Sequence, residues 1–402
     1  MAKVVLVWEM GADLGHVTRL DALARHLCER GHSVTAIFSD LREIQRIYPH
    51  PHLPPYRVLQ GPSWMDRRLK LTRPPASLTE VLLSVGFYKS EIVTEKLQQW
   101  KALFASLQVD AILFDYAPAA QLAARQYAWH KINLGDPFST PPVRSPLPLF
   151  DLNAKVSDAN LMISDQRLVD VVNQALREVE LAEIRYAYEL SSAHKTFLLS
   201  IPELDPFAHL RTSEQYIGLL KTPSIGGLNL NWNNTPTKKV FGYLKPIYPH
   251  LKQFLQAISN LGIQGRFFIP HAPQELIDQY RQSNIEIVTR PYDISSGLEQ
   301  CDLVVCHGGH STLLHSVLNG IPALLIPLQQ EQLSVTQKAM TCGLAMWLGH
   351  GVSDEEQIRA TIQIAMTDPR LQLATENCAR RCQPYFTSPA METIADYVES
   401  LS

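Results

Sequence analysis

The chemistry in this sequence is concentrated between Cys301 and Gln332, CDLVVCHGGHSTLLHSVLNGIPALLIPLQQEQ. An apolar run, expected as a buried strand, leads into His307-Gly308-Gly309-His310-Ser311-Thr312, and helical spacing starts at once. Two adjacent glycines let a bulky anion approach the backbone. Ser311 and Thr312 suit a helix N-cap, and their hydroxyls can donate to phosphate. The N–H groups and positive dipole end of the helix complete an anion site that needs no metal. Alone, this pattern says phosphate, with diphosphate the expected form. The glycine pair by itself is equally compatible with a tight strand-to-helix turn. Gly320-Ile321-Pro322 closes the helix, another strand follows, and Glu331-Gln332 stands at its C-terminal end, where ligands bind.

A metal site is the rival reading of the same residues. Cys301, Cys306, His307, His310 and His315 are crowded together, and His-x-x-His pairs ligate many ions. Against it, Cys306 ends an expected buried strand, and a Gly-Gly turn is a poor scaffold for a closed tetrahedral site. A metal would also leave Thr312, Pro322, Glu331 and Gln332 without a part to play.

With His307, Gly309, Thr312, Gly320, Pro322, Glu331 and Gln332 in register, the segment resembles the donor motif of family-one nucleotide-sugar glycosyltransferases. That group includes UDP-glycosyltransferases and the bacterial macrolide enzymes. The resemblance implies that His307 and the loop Gly308, Gly309, His310, Ser311 and Thr312 bind the diphosphate. It also implies that Glu331 and Gln332 hydrogen-bond sugar hydroxyls. Two positions depart from the pattern. The family's ribose-binding Glu is His315 here, a poorer partner for a vicinal diol, one turn beyond Ser311. Its base-stacking Trp is missing, and Tyr292 in Thr289-Arg290-Pro291-Tyr292 is the candidate for that contact.

Inverting glycosyl transfer needs a base for the acceptor hydroxyl and stabilisation of the departing diphosphate. In Gly11-Ala-Asp-Leu-Gly-His16, after the first expected strand, His16 matches the placement of the family's catalytic His. Asp115 ends the strand in AILFDYAP on the same sheet edge, where a carboxylate can orient imidazole and stabilise imidazolium. Asp110, at the start of that strand, is expected at the opposite edge. Gly15, Trp8, Tyr56, Trp64 and Phe138 are the candidates for an acceptor pocket built from loops 49–75 and 137–148, although an aromatic in such a place is more often simple packing.

The elements that must position these residues have the βα rhythm of doubly wound α/β domains. Lys3–Trp8 is an expected strand, 10–16 a loop, Val17–Arg30 a helix stopped by Gly31, and Ser33–Phe38 a second strand. Helices are expected at about 78–107 and 165–193. The Gly-, Asn- and Pro-rich stretch 221–238 reads as a linker, after which the rhythm restarts at Val240. The expected architecture is α/β of the GT-B type, two Rossmann-like doubly wound domains facing a central cleft. Residues 1–220 form the acceptor-binding domain and 239–402 the donor-binding domain, the last helix (about 390–402) being open to packing back on the first.

Composition excludes several classes. The 402 residues are 46% hydrophobic and 19% charged, with 36 Lys plus Arg against 39 Asp plus Glu, a formal charge of −3. A nucleic-acid binder would show a basic excess. The dense basic stretch Arg67, Arg68, Lys70, Arg73 reads as a solvated loop, with contact to a membrane surface or anionic acceptor as the alternative. No run of eighteen apolar residues spans a bilayer, and six scattered cysteines read as reduced thiols in a cytoplasmic protein. No cofactor or metal is expected beyond the nucleotide-sugar donor, UDP- or dTDP-linked, and a hydroxyl acceptor. Two alternatives stand beside transfer: a nucleotide-sugar hydrolase or epimerase of the same fold, and a non-catalytic nucleotide-binding accessory homologue.

Overall fold

A computed structural model describes the chain except residues 12–13, 49–50, 65–68, 70–72, 152–153, 221–226, 296, 350, 388 and 402. Arg67, Arg68, Lys70 and the first part of the expected linker therefore lie outside the described residues. The chain divides into two compact units, Met1–Pro202 with Pro206–Lys221 and Ser388–Ser402, and Glu203–Asp205 with Thr222–Thr387.

The first unit is built on seven parallel strands: β1 (Lys3–Trp8), β2 (Ser33–Phe38), β3 (Arg57–Gln60), β4 (Ala111–Asp115), β5 (His130–Gly135), β6 (Lys195–Leu198) and β7 (Gln215–Tyr216). Their order is β3-β2-β1-β4-β5-β6-β7. β1 and β4 are almost wholly apolar because helices cover both faces of a parallel sheet. The first helix, Leu14–Glu29, buries Val17, Leu20, Leu23, Ala24 and Leu27. It ends in a Schellman turn, with His32 N on Leu27 O at 3.0 Å and Gly31 N on Cys28 O at 2.9 Å. The C-terminal helix Ala390–Glu399 packs Ile394, Ala395 and Val398 into the same cluster. Arg30 ties it there through Asp396 and Glu399, each at 2.8 Å.

The second unit carries a six-stranded parallel sheet. β8 (Leu228–Asn229) pairs outside it with β12 (Tyr292–Asp293). β9 (Lys239–Tyr243), β10 (Gln264–Phe268), β11 (Ile285–Val288), β13 (Leu303–Cys306), β14 (Ala323–Leu325) and β15 (Ala345–Trp347) run in the order β11-β10-β9-β13-β14-β15. The ladders are all parallel. Both sheets are thus doubly wound, each with one pair of central neighbours from which the order runs outward in opposite directions: β1 and β4, and β9 and β13.

Three expected elements differ. The helix expected over 78–107 is two, Leu78–Ser84 and Ser90–Ala105, separated by a turn that contains Gly86 and buries Phe87. That expected over 165–193 starts earlier and stops sooner, at Asp158–Glu178, followed by a single 3-10 turn at Ala187–Ser191. Loop 49–75 contains β3. Among the described residues no helix is long and apolar enough to cross a membrane.

Candidate active site

In the first unit, β1 and β4 run in register so that their last residues, Trp8 and Asp115, are paired. This is the point where the strand order reverses, at the C-terminal edge, the usual place for a ligand in a doubly wound sheet. The two chain exits are stitched together by Met10 N on Tyr116 O at 3.0 Å. Tyr116 takes φ +47°, a left-handed conformation that costs a side-chain-bearing residue roughly 1–3 kcal/mol and that clusters at functional sites.

His16 lies in the first turn of the Leu14–Glu29 helix, not in a preceding loop as expected. Its Nδ1 is 2.9 Å from Asp115 Oδ1, and Asp115 is completely buried. Arg19, one turn on, donates from Nε to Asp115 Oδ2 at 2.6 Å and from Nη2 to Oδ1. The same Nη2 stands 2.7 Å from His16 Nδ1. Burial alone would raise the Asp115 carboxyl, but the charge of Arg19 and the His16 contact outweigh it and hold the group below the ordinary carboxylate range. The carboxylate is therefore ionised. Trp8 stacks on the His16 ring with centroids 5.7 Å apart and planes 15° off parallel. Gly11 also lies close to the ring: at φ +95°, a Cβ there would stand 2.7 Å from His16 Nε2.

Two residues given no site role from the sequence complete this edge. Arg19 is the first, with the contacts above; its signal was the three-residue spacing from His16. The second is Glu9, buried directly after β1. It accepts from Trp64 Nε1 at 2.9 Å, Trp100 Nε1 at 2.7 Å, Ala119 N at 2.9 Å and Ala120 N at 3.1 Å. Burial is the larger effect and pushes its carboxyl up despite four donors.

The acceptor-lining expectations fare unevenly. Trp64 is anchored by Glu9 and stacked on Phe87 at 4.7 Å, a core residue. Tyr56 precedes β3 at the opposite edge of the sheet from His16, where its hydroxyl donates to Asp21 at 2.7 Å, so it lines nothing near His16. Trp8 is buried against His16, Gly15 is exposed, and Phe138 is half-buried between Tyr116 and Phe150. Asp110 accepts from Lys3 N at 2.7 Å, at the far edge as expected. Arg73 pairs with Glu80 at 2.7 Å.

In the second unit the glycine loop leaves β13, again beside the reversal of strand order. His307 is buried, and both ring nitrogens meet backbone groups. Nε2 accepts from Lys245 N at 2.7 Å, which leaves the proton on Nδ1 to donate to Ile326 O at 2.7 Å. The ring thereby fastens the chain leaving β9, β13 and β14, and it holds the loop instead of turning a nitrogen toward a ligand. Gly308 has φ +81°, and a Cβ on it would stand 2.9 Å from Gln332 O and 3.1 Å from Thr336 Oγ1. The Gly308 and Gly309 N–H groups lie against the Cys306 thiol, which burial pushes up to about 11. The helix His310–Leu318 follows with Gly309 as its N-cap, Ser311 exposed and Thr312 half-exposed.

Glu331 and Gln332 occupy the first turn of the helix Gln330–Thr341, not the strand end, and Gln332 Oε1 accepts from Leu328 N at 2.8 Å. Close approach to Gly308 brings Gln332 alongside the loop. His310 and His315 are both buried, so His315 does not share the exposure of Ser311. Tyr292 is a core residue, buried with Leu230, Phe241, Phe268 and Leu298, which removes it from base contact. Nor do Cys301, Cys306, His307, His310 and His315 converge on one ion. Among the described residues the three donors whose ligand atoms lie within 4.8 Å of one another are Glu203, Cys378 and Cys382.

Residues 270–383, which hold this loop and both flanking helices, match the glycosyltransferase family 28 C-terminal domain. Over 369 residues, 82% of each chain, the sequence is 25% identical to the zeaxanthin glucosyltransferase of Pseudescherichia vulneris. The chain is a GT-B glycosyltransferase. Its fold is that of the kitacinnamycin glycosyltransferase (TM-score 0.72, 16% identity, covering 100% of this chain and 98% of that one). The calicheamicin glycosyltransferase CalG4 is equally similar (TM-score 0.72, 17% identity, 100% and 98%). The glycosyltransferase VinC, solved in complex with dTDP, follows (TM-score 0.69, 16% identity, 99% of each chain). The His16–Asp115 pair thus belongs to the first unit of this glycosyltransferase, and the glycine loop to its second.

Proposed function

We propose that this glycosyltransferase moves a hexosyl group from a UDP- or dTDP-linked donor to an acceptor hydroxyl, with inversion at the anomeric carbon. The observation that carries the reading is the 2.9 Å contact between His16 Nδ1 and a buried, ionised Asp115. A carboxylate on Nδ1 sets the tautomer and leaves Nε2 to take the acceptor proton. As the acceptor oxygen bonds to the anomeric carbon, the bond to the donor diphosphate breaks. The proton goes to Nε2, and the imidazolium is stabilised by Asp115. The charge growing on the leaving diphosphate is met by the N-terminus of His310–Leu318 with the hydroxyls of Ser311 and Thr312. His307 keeps the loop in shape, and Glu331 and Gln332 bond the sugar hydroxyls. The dTDP complex of VinC supports a thymidine or uridine diphosphate donor.

The test is His16→Ala assayed for transfer and for donor affinity. Transfer falls by roughly a hundred- to ten-thousandfold, the usual worth of a general base, and the donor Kd stays within about twofold. A variant that keeps most of its rate removes His16 from the mechanism.

A further inference from the structure

Deepening the reading of His16 as base, and resting on it, we propose that Arg19 is a positioning residue of the transfer reaction, clamping Asp115 so that its Oδ1 stays on His16 Nδ1. Arg19 lies three residues after His16 on one helix, so the two side chains share a face. Its guanidinium engages both oxygens of Asp115, the planar fork that a lysine cannot reproduce. The carboxylate cannot rotate without breaking a charge-assisted bond, and Oδ1 is thereby kept on Nδ1.

The geometry around Nδ1 carries the second half. Asp115 Oδ1 lies 2.9 Å from it and Arg19 Nη2 lies 2.7 Å from it. A guanidinium nitrogen only donates, so one tautomer cannot satisfy both contacts. With the proton on Nδ1, His16 donates to Asp115 and Nε2 is the base. With Nδ1 bare, it accepts from Arg19 and Nε2 carries the proton, an idle form. The fork on both carboxylate oxygens keeps Oδ1 facing Nδ1 as an acceptor, which favours the first form.

Among the described residues the charged groups at His16 are Asp115 from β4 and Arg19 from its own helix. From β1 the uncharged Trp8 ring packs on it. The neighbouring Glu9 carboxylate is taken up by Trp64, Trp100, Ala119 and Ala120.

The experiment compares wild type, Arg19→Met and Arg19→Lys for kcat, KM and donor Kd, with His16→Ala beside them. In Arg19→Lys kcat falls by roughly tenfold or more while KM and the donor Kd stay within about twofold, because charge is kept and the fork is lost. Arg19→Met falls at least as far. The lysine variant tests the clamp even if the methionine protein does not fold. A lysine variant with wild-type kcat, or a loss confined to donor Kd, overturns the proposal. If the lysine variant loses kcat but His16→Ala transfers sugar at the wild-type rate, the base reading fails while Arg19 still serves the reaction.

Discussion

Gly308 and Gln332 touch: a Cβ on the glycine would come within 2.9 Å of the Gln332 carbonyl oxygen, and the glycine itself has φ +81°. Position 308 is therefore closed to side chains twice over, by conformation and by space. Gly308→Ala meets a left-handed penalty of roughly 1–2 kcal/mol before any clash, and relief must come from moving the loop or the Gln330–Thr341 helix. Nucleoside diphosphate and nucleotide sugar should both bind at least tenfold more weakly in calorimetric titration, with transfer reduced in parallel. Unchanged affinity for both would place the donor diphosphate elsewhere.

Gln332→Ala should behave differently. The side chain caps the turn through Leu328 N, so its loss lowers Tm in the absence of ligand. If its amide also serves the sugar, the nucleotide sugar weakens by a hydrogen bond worth about 1 kcal/mol while the free diphosphate binds nearly as before. Equal losses for the two ligands would reduce Gln332 to a cap.

Asp115 predicts a pH signature in stability. Its folded-state pKa lies below the ordinary 3.8, so under acid the unfolded chain binds the proton more readily. The stabilisation is complete above pH 3.8 and drains away as pH falls through the depressed value. Asp115→Asn should cost roughly 3 kcal/mol in urea unfolding at pH 7, because a completely buried carboxylate is lost from the half-buried Arg19. The gap between the two proteins should close in strong acid. A gap independent of pH would mean that Asp115 is not the ionised partner of Arg19.

Transfer should proceed without added divalent metal. The features proposed to meet the diphosphate are a helix N-terminus and two hydroxyls, and the chain contains no Asp-x-Asp pair. Rates in the presence of EDTA should match those in magnesium or manganese. A rate abolished by chelation and restored by either ion would contradict this.

Much of the frame was legible because buried parallel strands announce themselves as apolar runs. Leu303–Cys306 and Ser33–Phe38 have the bounds the pattern implies, and the glycine after the first helix closes it as a Schellman turn. β5 and β6 were not legible. His-Lys and Lys-Thr open them, so neither presents a continuous apolar run, and β6 has only four residues. The site was legible in its residue types and less so in its geometry. Placing the helix start at Val17 rather than Leu14 left His16 outside it, and hid the face it shares with Arg19. The bonds of His307 to Lys245 N and Ile326 O join residues 62 and 19 positions away, for which no local pattern exists. Tyr292 shows the opposite failure, where likeness to a motif suggested a ligand contact and packing against Phe241 decided otherwise.

The central claim is single-step transfer to an acceptor with inversion, driven by His16. It is tested most directly by the anomeric configuration of the product, read by ¹H NMR before equilibration. An α-linked UDP- or dTDP-hexose incubated with a phenolic acceptor should give the β-glycoside, and sugar release should depend on the acceptor. An α-glycoside, or free hexose released at the same rate without acceptor, would contradict the account.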